Sequence, residues 1–176
     1  KTVDDRRISQ LNFENVGINA DQIVATGDEA EQLIKDAINY GTLCVSAEAV
    51  GCMESCYLKT VEYTKSREQF GQPISNFQVL QHKMVDMFIE AELCKSLLYK
   101  SMIDMHENND SKYRSVSALK SQVGLSGKKV GEDAVQLHGG MGVSEEMSIG
   151  HYLKRFISID SQFGNSHFHL KKFNNS

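Results

Sequence analysis

The stretch SREQFGQPISNFQ, residues 66–78, puts a guanidinium (Arg67), two phenyl rings (Phe70 and Phe77), a glycine (Gly71) and the only proline of the chain (Pro73) into one connection between two helical patterns. A helix–helix turn needs a breaker such as glycine or proline. It has no need of a cation and an aromatic ring, so these side chains point to contact with something outside the turn. A second segment, AVQLHGGMG at 134–142, has the same excess. One glycine suffices to end a helix, yet Gly139, Gly140 and Gly142 come together after Gln136, which reads as buried. Glycines let a flat ligand or another backbone approach closely. The two segments fall at opposite ends of the bundle's helices.

Other chemistry is excluded residue by residue. A di-metal carboxylate bundle needs Glu-x-x-His pairs, but three residues before the six histidines stand Val79, Ile103, Val135, Ser148, Gly164 and Ser166. His167 and His169, on the terminal segment, read as polar positions, and no metal is expected. Cys52 and Cys56 continue an apolar helical series through Ile34, Ile38, Val45 and Ala49, and Cys94 continues Met84, Met87 and Ala91. With Cys44, these read as reduced thiols serving as small core residues, which predicts a reducing, cytoplasmic compartment. Net charge is −4 with both signs interspersed, so there is no footprint for nucleic acid. No apolar stretch approaches the ~18 residues of a membrane span. The opening KTVDDRRISQ is unlike a signal peptide and suggests the C-terminal part of a longer protein.

The elements that must position these residues are predominantly helical. Residues 6–18, with alternations Leu11/Phe13 and Val16/Ile18, suit a strand or two. From Asp28, capped by itself with Glu31 three residues on, nearly forty residues without proline form one long helix, or two with a kink near Gly41. Ser75 and Gln78 form a capping box for a second helix with two apolar stripes, Phe77-Leu80-Met84-Met87-Ala91-Cys94-Leu98-Met102-Met105 and Val85-Ile89-Leu93-Leu97, which places it inside a bundle. Asp110 or Ser111 caps a third, whose seam is Val116, Leu119, Val123, Gly127, Val130, Ala134 and Leu137. Gly124, Gly127 and Gly131 each cost that helix about 1 kcal/mol and imply close helix–helix approach. Ser144, with Glu145 and Glu146, opens a fourth. The expected fold is an all-α, four-helix up-and-down bundle over 28–176, with residues 1–27 the end of a preceding β domain and its linker.

Here YTKSREQFGQPISNFQVLQHKMVDM resembles the Arg-x-x-Phe-Gly…Phe-Gln…Asp-Met signature of the acyl-CoA dehydrogenase C-terminal domain. EDAVQLHGGMGVSEEMSIGHYLKR is similar to the same family's Gln…Gly-Gly-x-Gly segment and the basic stretch after it, and RRISQLNFENVGINADQIV to the last strand of its middle domain. The resemblance implies an FAD-dependent α,β-dehydrogenation of an acyl-CoA thioester, with the turn reaching across a subunit interface to a neighbour's FAD. Arg67 would pair with the diphosphate and Phe70 would pack on the cofactor. Gln69, Ile74 and Phe77 would line the same wall, and Gln136, Gly139 and Gly140 would meet the adenosine end. Implied partners are acyl-CoA, an electron-transfer flavoprotein, and further subunits: a homo-oligomer (dimer or tetramer) or a heteromer with a large subunit. Acyl-CoA oxidases, nitroalkane oxidases and flavin-linked monooxygenases share the domain, and a bundle used only for oligomerisation is the non-enzymatic alternative.

The family's base is a carboxylate in a dry pocket. Aligned through Gly164, its usual position holds Phe163, with Asn165 where a threonine is usual. The second known position falls at Gly41, with Thr42 beside it where an arginine is common. Asp160 and Glu48 are the displaced candidates. The tail SIDSQFGNSHFHL resembles small subunits of heteromeric dehydrogenases such as the pimeloyl-CoA type, in which a partner subunit can carry the base.

Overall fold

The computed structural model describes residues 1–175. Helix α1 spans Gly27–Ser66, unbroken through Gly41. A hairpin of two-residue strands follows, β1 (Glu68–Gln69) and β2 (Gln72–Pro73), then a 3-10 turn over Ile74–Asn76. Helices α2 (Gln78–His106), α3 (Lys112–His138), α4 (Ser148–Ser161) and α5 (Ser166–Asn174) complete the order. The first four are the expected up-and-down bundle, and α5 is a short addition to it. Helix α3 lies at the centre, packed against all four others.

The predicted seam of α3 is buried at every apolar position, and Cys56 and Cys94 join Met53, Met87 and Ala91 in the same core, whereas Cys52 is half-buried at its edge and Cys44 is exposed on the outer face of α1. Burial pushes the Cys56 thiol up to about 12 and that of Cys94 to about 11, as expected of thiols in apolar surroundings. The α3 glycines mark close contacts. A Cβ on Gly131 would lie 3.0 Å from Leu153 and Phe156, and one on Gly124 only 2.1 Å from Asp160 Oδ1.

Several local expectations give way to tertiary structure. Helix α1 is preceded by Thr26 as N-cap, without a side-chain bond, rather than by Asp28. Ser75 is taken up by the 3-10 turn and its carbonyl accepts from Gln81 Nε2 (2.9 Å), so no capping box forms with Gln78. Ser144 turns back to the Met141 carbonyl (3.0 Å), which delays α4 to Ser148. Residues 6–18 form no ladder within the described chain, and Leu11, Phe13, Val16 and Ile18 stay exposed. A strand exists only when a neighbour supplies hydrogen-bonding partners. Of the second stripe of α2 only Leu97 packs against the core, while Val85, Ile89 and Leu93, like Met102 of the first stripe, are each about half exposed, so this helix buries one face and presents most of the other.

The N-terminal turn is nevertheless tied down. Asp4 accepts from Arg155 Nη1 (2.8 Å), while both oxygens of Glu48 take Arg155 Nε (2.8 Å) and Nη2 (2.6 Å). Arg6 Nη2 adds a 3.2 Å contact to Glu48. Burial acts to raise the Asp4 carboxyl, but hydrogen bonds from Thr2, Arg155 and Ser158 outweigh it and bring it to about 2.

Gly124→Ala tests the close packing on α3. Alanine favours a helix interior by ~1 kcal/mol, yet the collision with Asp160 should produce a net loss of about 1–3 kcal/mol. A urea titration reads the sign, and a raised midpoint would refute the close-approach account.

Candidate functional site

Two regions gather the sequence-predicted site residues. The first is at the end of the bundle where α1 and α3 both finish. Arg67 closes α1, its N–H bonded to the Tyr63 carbonyl (2.9 Å), and its own carbonyl accepts from Ile74 N–H (2.8 Å). The pairing Glu68↔Pro73 and Gln69↔Gln72 leaves Phe70-Gly71 as a two-residue loop. Both loop residues have positive φ, 56° and 77°, as a type I′ hairpin requires. Such a turn suits Asn-Gly; a phenylalanine held in the left-handed region costs roughly 1–2 kcal/mol. Phe70 is nevertheless 91% exposed and meets only the edge of Phe77, 6.0 Å away. Among the described residues the Arg67 guanidinium has neither a carboxylate nor a hydrogen-bond acceptor. Pro73, fixed near φ −54° and without an N–H, holds the short edge strand in place. The hairpin thus presents a ring in a left-handed backbone conformation to solvent, in the same turn as a guanidinium with no partner among the described residues.

The glycine segment lies at this same end, not at the opposite one, because antiparallel helices return the C-terminus of α3 to the start of α2. The Tyr63 ring stacks on His138 (centroids 4.1 Å apart, planes at 23°), and Tyr63 Oη donates to the His138 carbonyl (3.4 Å). Gly139 has φ +59°, which its place beyond the helix end requires. A Cβ on Gly140 would meet no atom of this chain, so nothing internal demands glycine there. Gly142 differs: its Cβ would lie 2.6 Å from the Val135 carbonyl, and its role is internal packing. Gln136 is exposed rather than buried.

The second region is a cleft of about 480 Å³ between α1 and the α4–α5 turn, lined by Ile38, Asn39, Thr42, Phe163, Phe168 and His169, with Lys35 and Lys172 among its walls. Here Phe163 and Gly41 meet: a Cβ on Gly41 would lie 2.6 Å from Phe163 Cζ. Phe163 (φ 57°) and Gly164 (φ 99°) are consecutive left-handed residues, and the chain holds them from several sides. Lys120, wholly buried on α3, donates to the carbonyls of Ile159 (3.0 Å), Asp160 (3.0 Å) and Gly164 (2.9 Å). An ammonium has three donors, and all are used. His169 Nε2 donates to the Phe163 carbonyl (3.0 Å), and its Nδ1 is buried with no partner among the described residues. Burial pushes His169 below the usual histidine range, which keeps it neutral, and lowers Lys172 as well.

The two carboxylate candidates lie elsewhere. Asp160 Oδ1 faces α3 and accepts Ser166 N–H (2.8 Å). Glu48 is bound by Arg155 through both oxygens, which holds it below the usual carboxylate range, the reverse of the shift a general base needs. Neither lines the cleft. Sequence reading passed over Lys120, Tyr63, His138 and Arg155, and took His169 for a polar position on the terminal segment, whereas it is buried. For Lys120 a signal was available: it stands four residues before Gly124, on a helix face too closely packed to leave an amine in water.

Comparison with known proteins identifies the family. The family model described as "Acyl-CoA dehydrogenase, C-terminal domain" matches residues 32–171. This chain therefore belongs to the acyl-CoA dehydrogenase family, as its C-terminal helical domain. It is 29% identical over 147 residues to the short-chain-specific acyl-CoA dehydrogenase of Megasphaera elsdenii, covering 82% of this chain and 38% of that relative. The butyryl-CoA dehydrogenase structure from M. elsdenii superposes with a TM-score of 0.87 at 25% identity, over 93% of this chain and 42% of the other. A structure of PigA with FAD and proline gives 0.75 at 25%, over 78% and 36%. The chain thus spans about two fifths of the length of the proteins it matches.

Lys120→Met should cost about 2–4 kcal/mol, because three carbonyls lose their donor. Burial lowers Lys120 to about 8 from the ordinary 10.5. The unfolded chain therefore binds more protons between those values, and the lysine's contribution to stability rises with pH across that window. Denaturant titrations at pH 8 and pH 10 should show wild type gaining on the variant. A gap that narrows would refute the assignment.

Proposed function

We propose that this chain is the C-terminal bundle, residues 28–176, of a subunit of an FAD-dependent acyl-CoA dehydrogenase, with residues 1–27 the end of the preceding domain and its linker. The observation that carries the reading is the strained, exposed Phe70 beside an unpaired Arg67, presented at the same bundle end as Gly139 and Gly140. The residues present fit a dinucleotide. Arg67 is free to bind a diphosphate in the planar, bidentate manner of a guanidinium, Phe70 offers a ring to pack against, and Gly140 leaves open the space a side chain would fill. Gln69, Ile74, Phe77 and Gln136 complete the wall. When bound, FAD would supply the acceptor for the hydride leaving the acyl β-carbon.

The cleft suits the acyl-CoA substrate. Ile38, Phe163 and Phe168 offer an apolar wall, while Lys35 and Lys172 supply positive charge for a phosphate-bearing tail. The α-proton needs a base, and Phe163 against Gly41 leaves both family positions without one. The reading this favours is a mixed oligomer in which a large partner subunit carries the base, with Asp160 and Glu48 the only local candidates. A homo-oligomer is the alternative assembly. The half-exposed apolar face of α2 supports association of either kind. An electron-transfer flavoprotein is the expected oxidant, and a reducing cytoplasm fits the buried thiols of Cys56 and Cys94.

In the full-length protein, Arg67→Ala should weaken FAD by about 1.5–3 kcal/mol, roughly ten- to a hundredfold, with thermal unfolding of the apo-protein unchanged. Unaltered flavin retention would count against the site. Exchange of the acyl-CoA α-proton into deuterated water tests the base: Asp160→Asn and Glu48→Gln should leave the assembled enzyme's rate within about twofold. A loss of about a hundredfold or more, the scale of general-base catalysis, would restore that carboxylate as the base.

A further inference from the structure

Between the two arms of this site stands a pair of rings whose presence the core does not explain. Tyr63 lies one helical turn before Arg67 and is bonded to it through the backbone, its carbonyl accepting Arg67 N–H (2.9 Å) and Ser66 Oγ (3.0 Å). His138 immediately precedes Gly139. Their stack, 4.1 Å between centroids, therefore sits at the root of both the hairpin and the glycine turn. His138 Nδ1 donates to the Ala134 carbonyl (2.8 Å), which fixes the ring's orientation, and Nε2 is buried with no partner among the described residues. An unpartnered buried nitrogen costs free energy, and burial holds the ring neutral. A purely apolar side chain would pack there without that penalty. What a phenylalanine or leucine at 138 would equally lack is the Nδ1 bond that locks the flat face against Tyr63.

We propose that Tyr63 and His138 form a clamp that sets the separation of the two arms, making them positioning residues for the flavin site. The inference rests on the FAD reading above. The stack joins the last turn of α1 to the last residue of α3, so a change in its thickness moves Arg67 and Phe70 relative to Gly139 and Gly140. A ligand held at both ends gains affinity from that preset gap, since the arms need no ordering when it binds.

The test uses the full-length protein, with FAD titrated into the apo-form and hydrogen–deuterium exchange followed in the same samples. Tyr63→Leu removes the stack and should weaken FAD about tenfold or more. It should also raise exchange in residues 67–72 and in 139–143 together, while the buried middle of α2 is unaffected. Tyr63→Phe keeps the stacked ring and loses only the long 3.4 Å bond, so it should restore both readouts. Faster exchange in one arm alone, or FAD affinity within about twofold of wild type in Tyr63→Leu, overturns the clamp while leaving the flavin site intact. A wild-type protein that takes up no FAD overturns the underlying reading instead. Should Tyr63→Leu fail to fold, His138→Leu decides: it removes the other ring and its Nδ1 bond to Ala134 and should weaken FAD about tenfold or more, with faster exchange in both arms. Affinity within about twofold of wild type in His138→Leu overturns the clamp.

Discussion

Lys120 carries its ammonium into the middle of the bundle and spends all three donors on carbonyls at the end of α4 and the turn beyond. A charge that deep is stable only if every donor is paired, so the bonds constrain both partners. Helix α3 must stay close enough to α4 for a four-carbon stem to reach, which is what Gly124, Gly127 and Gly131 permit. The α4–α5 turn must hold two consecutive left-handed residues. The position of Phe163 over Gly41, and hence the shape of the cleft, follows from that pairing.

The other charged groups inside the fold obey the same rule. Arg155 is buried, and its guanidinium is shared between Glu48 and Asp4 in a fork geometry that lysine could not reproduce. The effect is to fix an N-terminal turn that has little apolar packing of its own onto α1 and α4. Glu48 is thereby committed to structure. Its acidity is raised by the same contacts that make it useful there, and a carboxylate cannot serve as both a saturated ion-pair partner and a proton acceptor near neutral pH.

Exposed apolar groups describe the remaining surfaces. Phe70 at the hairpin tip, Val85, Ile89 and Leu93 along α2, and Leu11 and Phe13 in the N-terminal segment are all at least half exposed or nearly so. They lie on three separate parts of the molecule, and among the described residues none of them is buried. The chain spans about two fifths of the length of the relatives it matches, and cover for these faces is what the proposed assembly would have to supply.

From the residues alone, the helical period, the α3 seam, the thiols in the core and the unusual make-up of the 66–78 turn were legible, because each depends on side chains close together in sequence. The same held for the family, whose motifs are local. The caps at Asp28, Ser75 and Ser144 were misread because each competes with a backbone turn that only the folded chain selects. The second stripe of α2 looked internal because periodicity reports apolarity and not which neighbour covers it. Only tertiary structure decided that the hairpin and the glycines share one end, that Glu48 answers Arg155 across 107 residues, and that Phe163 rests on Gly41. Those pairings join distant parts of the chain, and their energies depend on burial and exact approach, which residue spacing does not encode.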